Sequence, residues 1–149
     1  MASAIVRFLL GEGRDGAGRS LFKVLAMDNV QLERRHDYIQ WLFPLPEASS
    51  AVPGAPVLSP DDVLQIRSSD IAMTNLRAAA ARMRDFYART RHWLVSADHN
   101  HLRITRIIKS LRFLAGDAEA DAFKTMILDT VGFSGANISA RSMGFWASA

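Results

Sequence analysis

The stretch that decides the fold class is Ser69-Asp70-Ile71-Ala72-Met73-Thr74-Asn75-Leu76-Arg77-Ala78-Ala79-Ala80-Ala81-Arg82-Met83-Arg84-Asp85-Phe86-Tyr87. Ala72, Met73, Leu76, Ala79, Ala80, Met83, Phe86 and Tyr87 recur at intervals of three and four, and on a helix that spacing gathers them on one face. Ser69 or Asp70 supplies the cap. A stripe of methionine and aromatic residues at this period reads as core.

Outward from this helix the same period continues on both sides. Toward the C-terminus, residues 98–100 cap a helix in which Ile104, Ile107, Ile108, Leu111 and Leu114 share a face. Arg103, Arg106, Lys109 and Arg112 are expected on the exposed half. Gly116 ends it, and Asp117 is expected to cap a further helix to about Val131, with Ala120, Phe123, Ile127 and Val131 as its stripe. Toward the N-terminus, Ser59-Pro60-Asp61-Asp62 combines a serine cap, proline at the first helical position and acids in the first turn, so a short helix should run to about Arg67. Asp28, with Gln31 as capping-box partner, should open a helix over residues 28–43. Leu32, His36, Ile39 and Phe43 would form its buried face, with Trp41 on roughly the opposite side. Pro44 and Pro46 stop it, and residues 47–56, rich in Ala, Ser and Pro, read as a surface loop.

No strand ladder is visible, since the only candidate, the first ten residues, fits a helix equally well. The expected fold is all-α: one compact domain of five to seven helices in orthogonal or bundle-like packing. Residues 1–19 are expected as a flexible Gly-rich start, 20–131 as the helical core and 132–149 as a tail. The hydrophobic fraction of 49% and charged fraction of 22% are those of a globular chain and exclude intrinsic disorder. No run of about 18 apolar residues occurs, which argues against a membrane span. The apolar opening carries Arg7 and lacks a small-residue cleavage site, so a cytoplasmic location is expected. Without cysteine there is no disulfide framework, no thiolate nucleophile and no Cys-ligated zinc.

Net charge is only +3, but it is unevenly spread. Residues 77–112 hold nine Lys/Arg against two acids, a local +7. Such a segment suits phosphate or an acidic partner, and equally a solvated helical surface. Gly11-Glu12-Gly13-Arg14-Asp15-Gly16 formally matches the dinucleotide fingerprint. That motif works only between a strand and a long helix in a βαβ unit, and here it reads as a connector. His99 and His101 have metal-ligand spacing but no third ligand nearby, so capping and hydrogen bonding explain them better. His36, on an apolar face, reads as a core histidine. No Gly-x-Ser-x-Gly and no Ser beside His and acid is present. Neither an enzyme nor a cofactor is indicated.

Two longer blocks carry a family resemblance. Arg35-His36-Asp37-Tyr38-Ile39-Gln40-Trp41-Leu42-Phe43-Pro44-Leu45 resembles the Tyr-Ile-Gln-Trp-Leu-Phe-Pro hallmark of the opioid growth factor receptor conserved region. His99-Asn100-His101-Leu102-Arg103-Ile104-Thr105-Arg106-Ile107-Ile108-Lys109-Ser110-Leu111 resembles its second block, and Arg82-Met83-Arg84-Asp85-Phe86-Tyr87 the helix between. The resemblance covers about residues 28–131. It implies a helical domain without catalytic activity or cofactor, whose animal members are described as receptors for the peptide Met-enkephalin, located at the nucleus and its membrane, that restrain cell proliferation. Beside those members the chain is the domain alone, and its arginine-rich, lysine-poor usage is similar to that of the short microbial members, so a bacterial source is expected.

The expected activity is therefore a peptide- or protein-binding module, with an opioid-like peptide as one candidate ligand. A nucleic-acid-binding domain using the basic helices is the alternative, which would show strongly salt-dependent affinity. The candidate binding set is His36, Tyr38, Trp41, His99, Asn100, His101, Arg103 and Arg106. Arg103 and Arg106, on neighbouring turns, could grip a carboxylate or phosphate, or equally close an internal salt bridge to Asp37 or Glu33.

Overall fold

Ser3, Ser20, Asp28 and Ser59 each turn a side-chain oxygen onto a backbone N–H three residues on. The first half of the chain is accordingly a succession of short, individually capped helices. In a computed structural model describing residues 1–149, these are α1 (Ala4–Leu9), α2 (Leu21–Leu25), α3 (Asn29–Arg34), α4 (Ile39–Leu42) and α5 (Pro60–Arg67). Longer helices follow: α6 (Asp70–Arg89), α7 (His99–Leu114), α8 (Asp117–Ser134) and α9 (Ala140–Ser148). No β-strand forms; one isolated parallel bridge joins Leu45 to Val57 and closes the neck of the 47–56 loop. The all-α expectation holds, with nine helices rather than five to seven. None is long and apolar enough to cross a membrane.

The chain packs as two units, Met1–Ala79 and Ala80–Ala149. In the first, Phe8, Leu9, Leu21, Leu32, Tyr38, Ile39, Leu42, Phe43 and Ile66 are fully or almost fully buried. The Gly-rich start contributes α1, whose last turn is held by Asn75, donating from Nδ2 to the Leu9 carbonyl at 2.8 Å. Gly11 adopts φ +80°, and a Cβ there would lie 2.7 Å from the Phe22 ring. Its left-handed conformation favours glycine, while the exposed Phe22 ring could swing aside, so this glycine serves a turn.

The single helix expected over residues 28–43 is in fact two. The Asp28–Gln31 capping box forms as read, but after α3 the backbone leaves the helix, with Arg35 at φ −83°, ψ 134°. The cause is Tyr38, which is buried and donates its hydroxyl to the Leu32 carbonyl at 2.6 Å. In a continuous helix that carbonyl would accept from the N–H of residue 36; here, at a helix end, it accepts from the phenol. The break keeps Leu32, Ile39 and Phe43 in the core but turns His36 out to solvent. The expectation of a core His36 is therefore corrected.

In the second unit Met83, Phe86 and Tyr87 of α6, Ile104, Ile107, Ile108 and Leu111 of α7, and Ala120, Phe123 and Ile127 of α8 are buried. Tyr87 meets Trp93 and Phe123 edge-to-face, with centroids 5.3 and 6.4 Å apart. Gly116, at φ +104°, and not Asp117, is the N-cap of α8, and Asp117 instead takes the Arg112 guanidinium at 2.8 Å. The tail residues form α9, capped by Ser139 and anchored by a fully buried Trp146.

Candidate ligand-binding site

Of the eight candidate residues, His36, Tyr38 and Trp41 belong to the first unit and His99, Asn100, His101, Arg103 and Arg106 to the second. Burial separates them. Tyr38 and Asn100 are 0% exposed, His101 4% and Arg103 7%, so these four hold the protein together and cannot meet a ligand. The expected exposure of Arg103 is corrected for a geometric reason: position 103 lies three residues after Asn100 and four before Ile107, on the inward stripe of α7.

What these buried groups do is explicit. Asp98, the N-cap of α7, accepts from both the backbone and the side-chain N–H of Asn100 at 3.0 and 2.9 Å. Asn100 in turn accepts at Oδ1 from the Tyr87 hydroxyl at 3.1 Å and from Arg103 at 3.3 Å. His101 Nε2 lies 2.8 Å from the Trp93 carbonyl, which can only accept, so Nε2 carries the proton. In that tautomer Nδ1 accepts from the Ser142 hydroxyl at 2.8 Å. The Trp146 indole donates to the His101 carbonyl at 3.0 Å and stands edge-on to the imidazole. One histidine thus ties α7 to α9 and to the segment after α6. The Ser142–His101 pair has the spacing of a nucleophile and base, but both residues are buried, and every polar atom of the imidazole is already engaged.

His99 is exposed and lies 3.9 Å from the Asp98 carboxylate. Arg106 is half-buried. The basic segment is much less available than its +7 suggests. Arg82 and Arg89 share Asp85, Arg112 bridges Asp117 and Asp121 at 2.8 and 2.7 Å, and Arg103 is buried.

The first unit offers a different arrangement. Asp15 is buried and closes the Gly-rich segment as an Asx-turn, its Oδ1 accepting from the N–H groups of Ala17 and Arg19. Arg19 donates from Nε to Asp15 and from NH2 to Asp37, at 2.8 and 2.7 Å. Burial disfavours the charged form of Arg19, but its bonds to Asp37 and Asp15 outweigh that and raise its pKa. The turn so fixed places Gly16 over the Trp41 indole, where a Cβ would lie 3.7 Å from Nε1.

Trp41 itself is half-exposed, its ring edge-on to Phe8 at 5.5 Å. The indoles of Trp93 and Trp146 donate to backbone carbonyls, whereas the Trp41 N–H makes no hydrogen bond within the protein. An aromatic surface with an unused donor therefore lies against the Gly16 turn, and the same turn is tied through Arg19 to Asp37, whose side chain is 49% exposed. Arg19 and Asp15 were not among the sequence candidates. The signal available was an Asp two residues before an Ala-Gly pair, which is Asx-turn chemistry, with an Arg four residues on.

Residues 19–91 match the family model described as the opioid growth factor receptor conserved region. The chain is also 31% identical over 118 residues to opioid growth factor receptor-like protein 1 of Mus musculus, an alignment covering 68% of this chain and 24% of that protein. The same figures hold for the Rattus norvegicus protein of that name. The Xenopus tropicalis protein is 33% identical over 102 residues, covering 56% of this chain and 20% of its own length. The chain thus spans about a quarter or less of the length of these relatives. No solved structure matches it significantly. Arg19, Asp37, Tyr38 and Trp41 all fall inside the matched residues, and through residues 19–91 the chain belongs to the opioid growth factor receptor conserved-region family.

Proposed function

We propose that the chain is a non-catalytic, cytoplasmic peptide-binding module whose contact surface is the exposed edge of Trp41 together with Asp37 and the Gly16 turn. The observation that carries this reading is the Trp41 indole, half-exposed with an uncommitted N–H and set against the Gly16 turn, which Arg19 ties to the half-exposed Asp37 carboxylate. A rigid aromatic plane offers contact area at low entropic cost. Its N–H can donate to a peptide carbonyl, while Asp37 can accept from an amino group without being desolvated in the free protein. The relatives are named opioid growth factor receptor-like proteins, which supports a receptor-like binding role for the domain. The nucleic-acid reading finds no comparable support, because carboxylates within the basic segment and just after it already take Arg82, Arg89 and Arg112.

The test is a two-dimensional amide NMR titration of the labelled protein with Met-enkephalin and, separately, with a short DNA duplex. The three tryptophan indole resonances are separate reporters. The expected result is a saturable shift of the Trp41 indole with the peptide, and an affinity lowered by Asp37→Asn. Peptide shifts that leave the Trp41 indole in place, or an Asp37→Asn variant that binds as the parent does, would refute the assigned surface. Shifts with DNA alone would refute the peptide reading.

A further inference from the structure

Helix α8 has two stripes, and only one of them is covered. Ala120, Phe123 and Ile127 face the core of the second unit. On another face, Ala122, Thr125, Met126, Asp129, Thr130 and Phe133 line an open groove of about 460 Å³, walled on its other side by Arg84 of α6. Their spacing of three, one, three, one and three is a continuous helical seam. Phe133 is 94% exposed. An isolated apolar side chain at a surface needs no explanation, but a phenylalanine this exposed at the end of a grooved seam marks a contact face.

The two charges of the groove are the second observation. Arg84 and Asp129 line the same groove, yet neither forms an ion pair, although Arg82, Arg89 and Arg112 nearby all do. A two-fold axis between the two charges would bring each onto its opposite in a second copy, since in such an interface residue i meets j and j meets i. The seam has the same property. It is symmetric about the point between Ile127 and Leu128, so an antiparallel second helix centred there sets Phe133 opposite Ala122, Thr130 opposite Thr125 and Asp129 opposite Met126. The largest side chain of the seam then faces the smallest.

We propose that the α6–α8 groove is the interface of a two-fold homodimer, in which Phe133 of each copy seats against Ala122 of the other and Arg84 of each copy pairs with Asp129 of the other. The occupant is a second copy of this chain because the face carries one uncommitted charge of each sign and places its largest and smallest seam residues at positions a two-fold exchanges; a foreign helix would have to supply the same pattern independently. The inference does not depend on the peptide-binding surface, which uses other residues.

Sedimentation velocity over a concentration series, with circular dichroism as a fold control, tests it. The wild type should show a concentration-dependent monomer–dimer equilibrium. Phe133→Ser, at a position that contributes nothing to the core, should weaken the dimer by about tenfold or more, corresponding to about 1.4 kcal/mol. Arg84→Asp and Asp129→Arg should each weaken it, and the double exchange should recover most of the loss. A wild type that stays monomeric throughout would overturn the proposal and leave the face to a foreign partner. So would a dimer indifferent to Phe133→Ser, or a double exchange no better than either single variant.

Discussion

Replacing His101 by alanine tests whether the buried polar network is what binds α9 to α7. Two groups lose the imidazole that now holds each at 2.8 Å, the Trp93 carbonyl and the Ser142 hydroxyl, the latter keeping only the Ser139 hydroxyl at 3.2 Å. A buried polar group left unsatisfied costs roughly 1–3 kcal/mol. The edge-to-face contact with Trp146, centroids 5.2 Å apart, adds about 0.5–1.5 kcal/mol. Because these losses share one site and are not fully additive, the expected destabilisation is about 3–5 kcal/mol, a large part of the stability of a domain this size. Urea unfolding followed by circular dichroism, compared at constant m-value, reads it directly. Ser142→Ala provides the internal scale: it strands the imidazole Nδ1 and removes a part-buried hydroxyl contact to Ser139 but leaves the Trp93 carbonyl paired, so its cost should be smaller, about 1–2 kcal/mol. If His101→Ala loses less than Ser142→Ala, or less than about 1 kcal/mol, the network is not what secures α9.

Two further outcomes follow from single residues. Tyr38→Phe removes the hydroxyl that accounts for the break between α3 and α4 and with it the bond to the Leu32 carbonyl, and should cost about 0.5–1.5 kcal/mol in the same assay; no loss would mean that the break has another cause. Asp62 lies between α5 and α1. Burial pushes its carboxyl up, but hydrogen bonds from the Ser59 N–H and the Ser3 and Ser59 hydroxyls outweigh that and hold its pKa below the ordinary aspartate value. A carboxyl depressed on folding stabilises above its unfolded pKa and loses that contribution as pH falls through the folded one. Acid unfolding below about pH 4 should therefore be steeper for the wild type than for Asp62→Asn, and parallel acid limbs would refute the linkage.

The amphipathic period over residues 72–87 was enough to set the fold class, because a face of Ala, Leu, Met and aromatic residues at intervals of three and four can be buried only as a helix. The caps at Asp28, Ser59, Ser69 and Asp98 were legible for a similar reason: each is a local bond between a side chain and a backbone N–H two or three residues away. The hallmark block around Trp41 was likewise legible as a string, and it led to the family. What periodicity could not supply was the division of residues 28–43 into two helices. That depends on whether the Tyr38 hydroxyl reaches the Leu32 carbonyl, and His36 is exposed as a consequence.

The candidate site shows the same limit. Residue type singled out His101, Asn100 and Arg103 as ligand-binding groups, since polar side chains on a helix are ordinarily solvated. Only the tertiary structure decided that Ser142, Trp93, Tyr87 and Asp98 satisfy them internally, across as many as 41 positions of sequence. Conversely, Trp41 could be placed on a helix face from the string, but whether its indole N–H met a carbonyl, as those of Trp93 and Trp146 do, could not. Local sequence determines which backbone hydrogen bonds close, because both partners lie within one turn. Which polar side chains remain free for a ligand depends on partners brought together by packing, and that is settled only when the whole chain is folded.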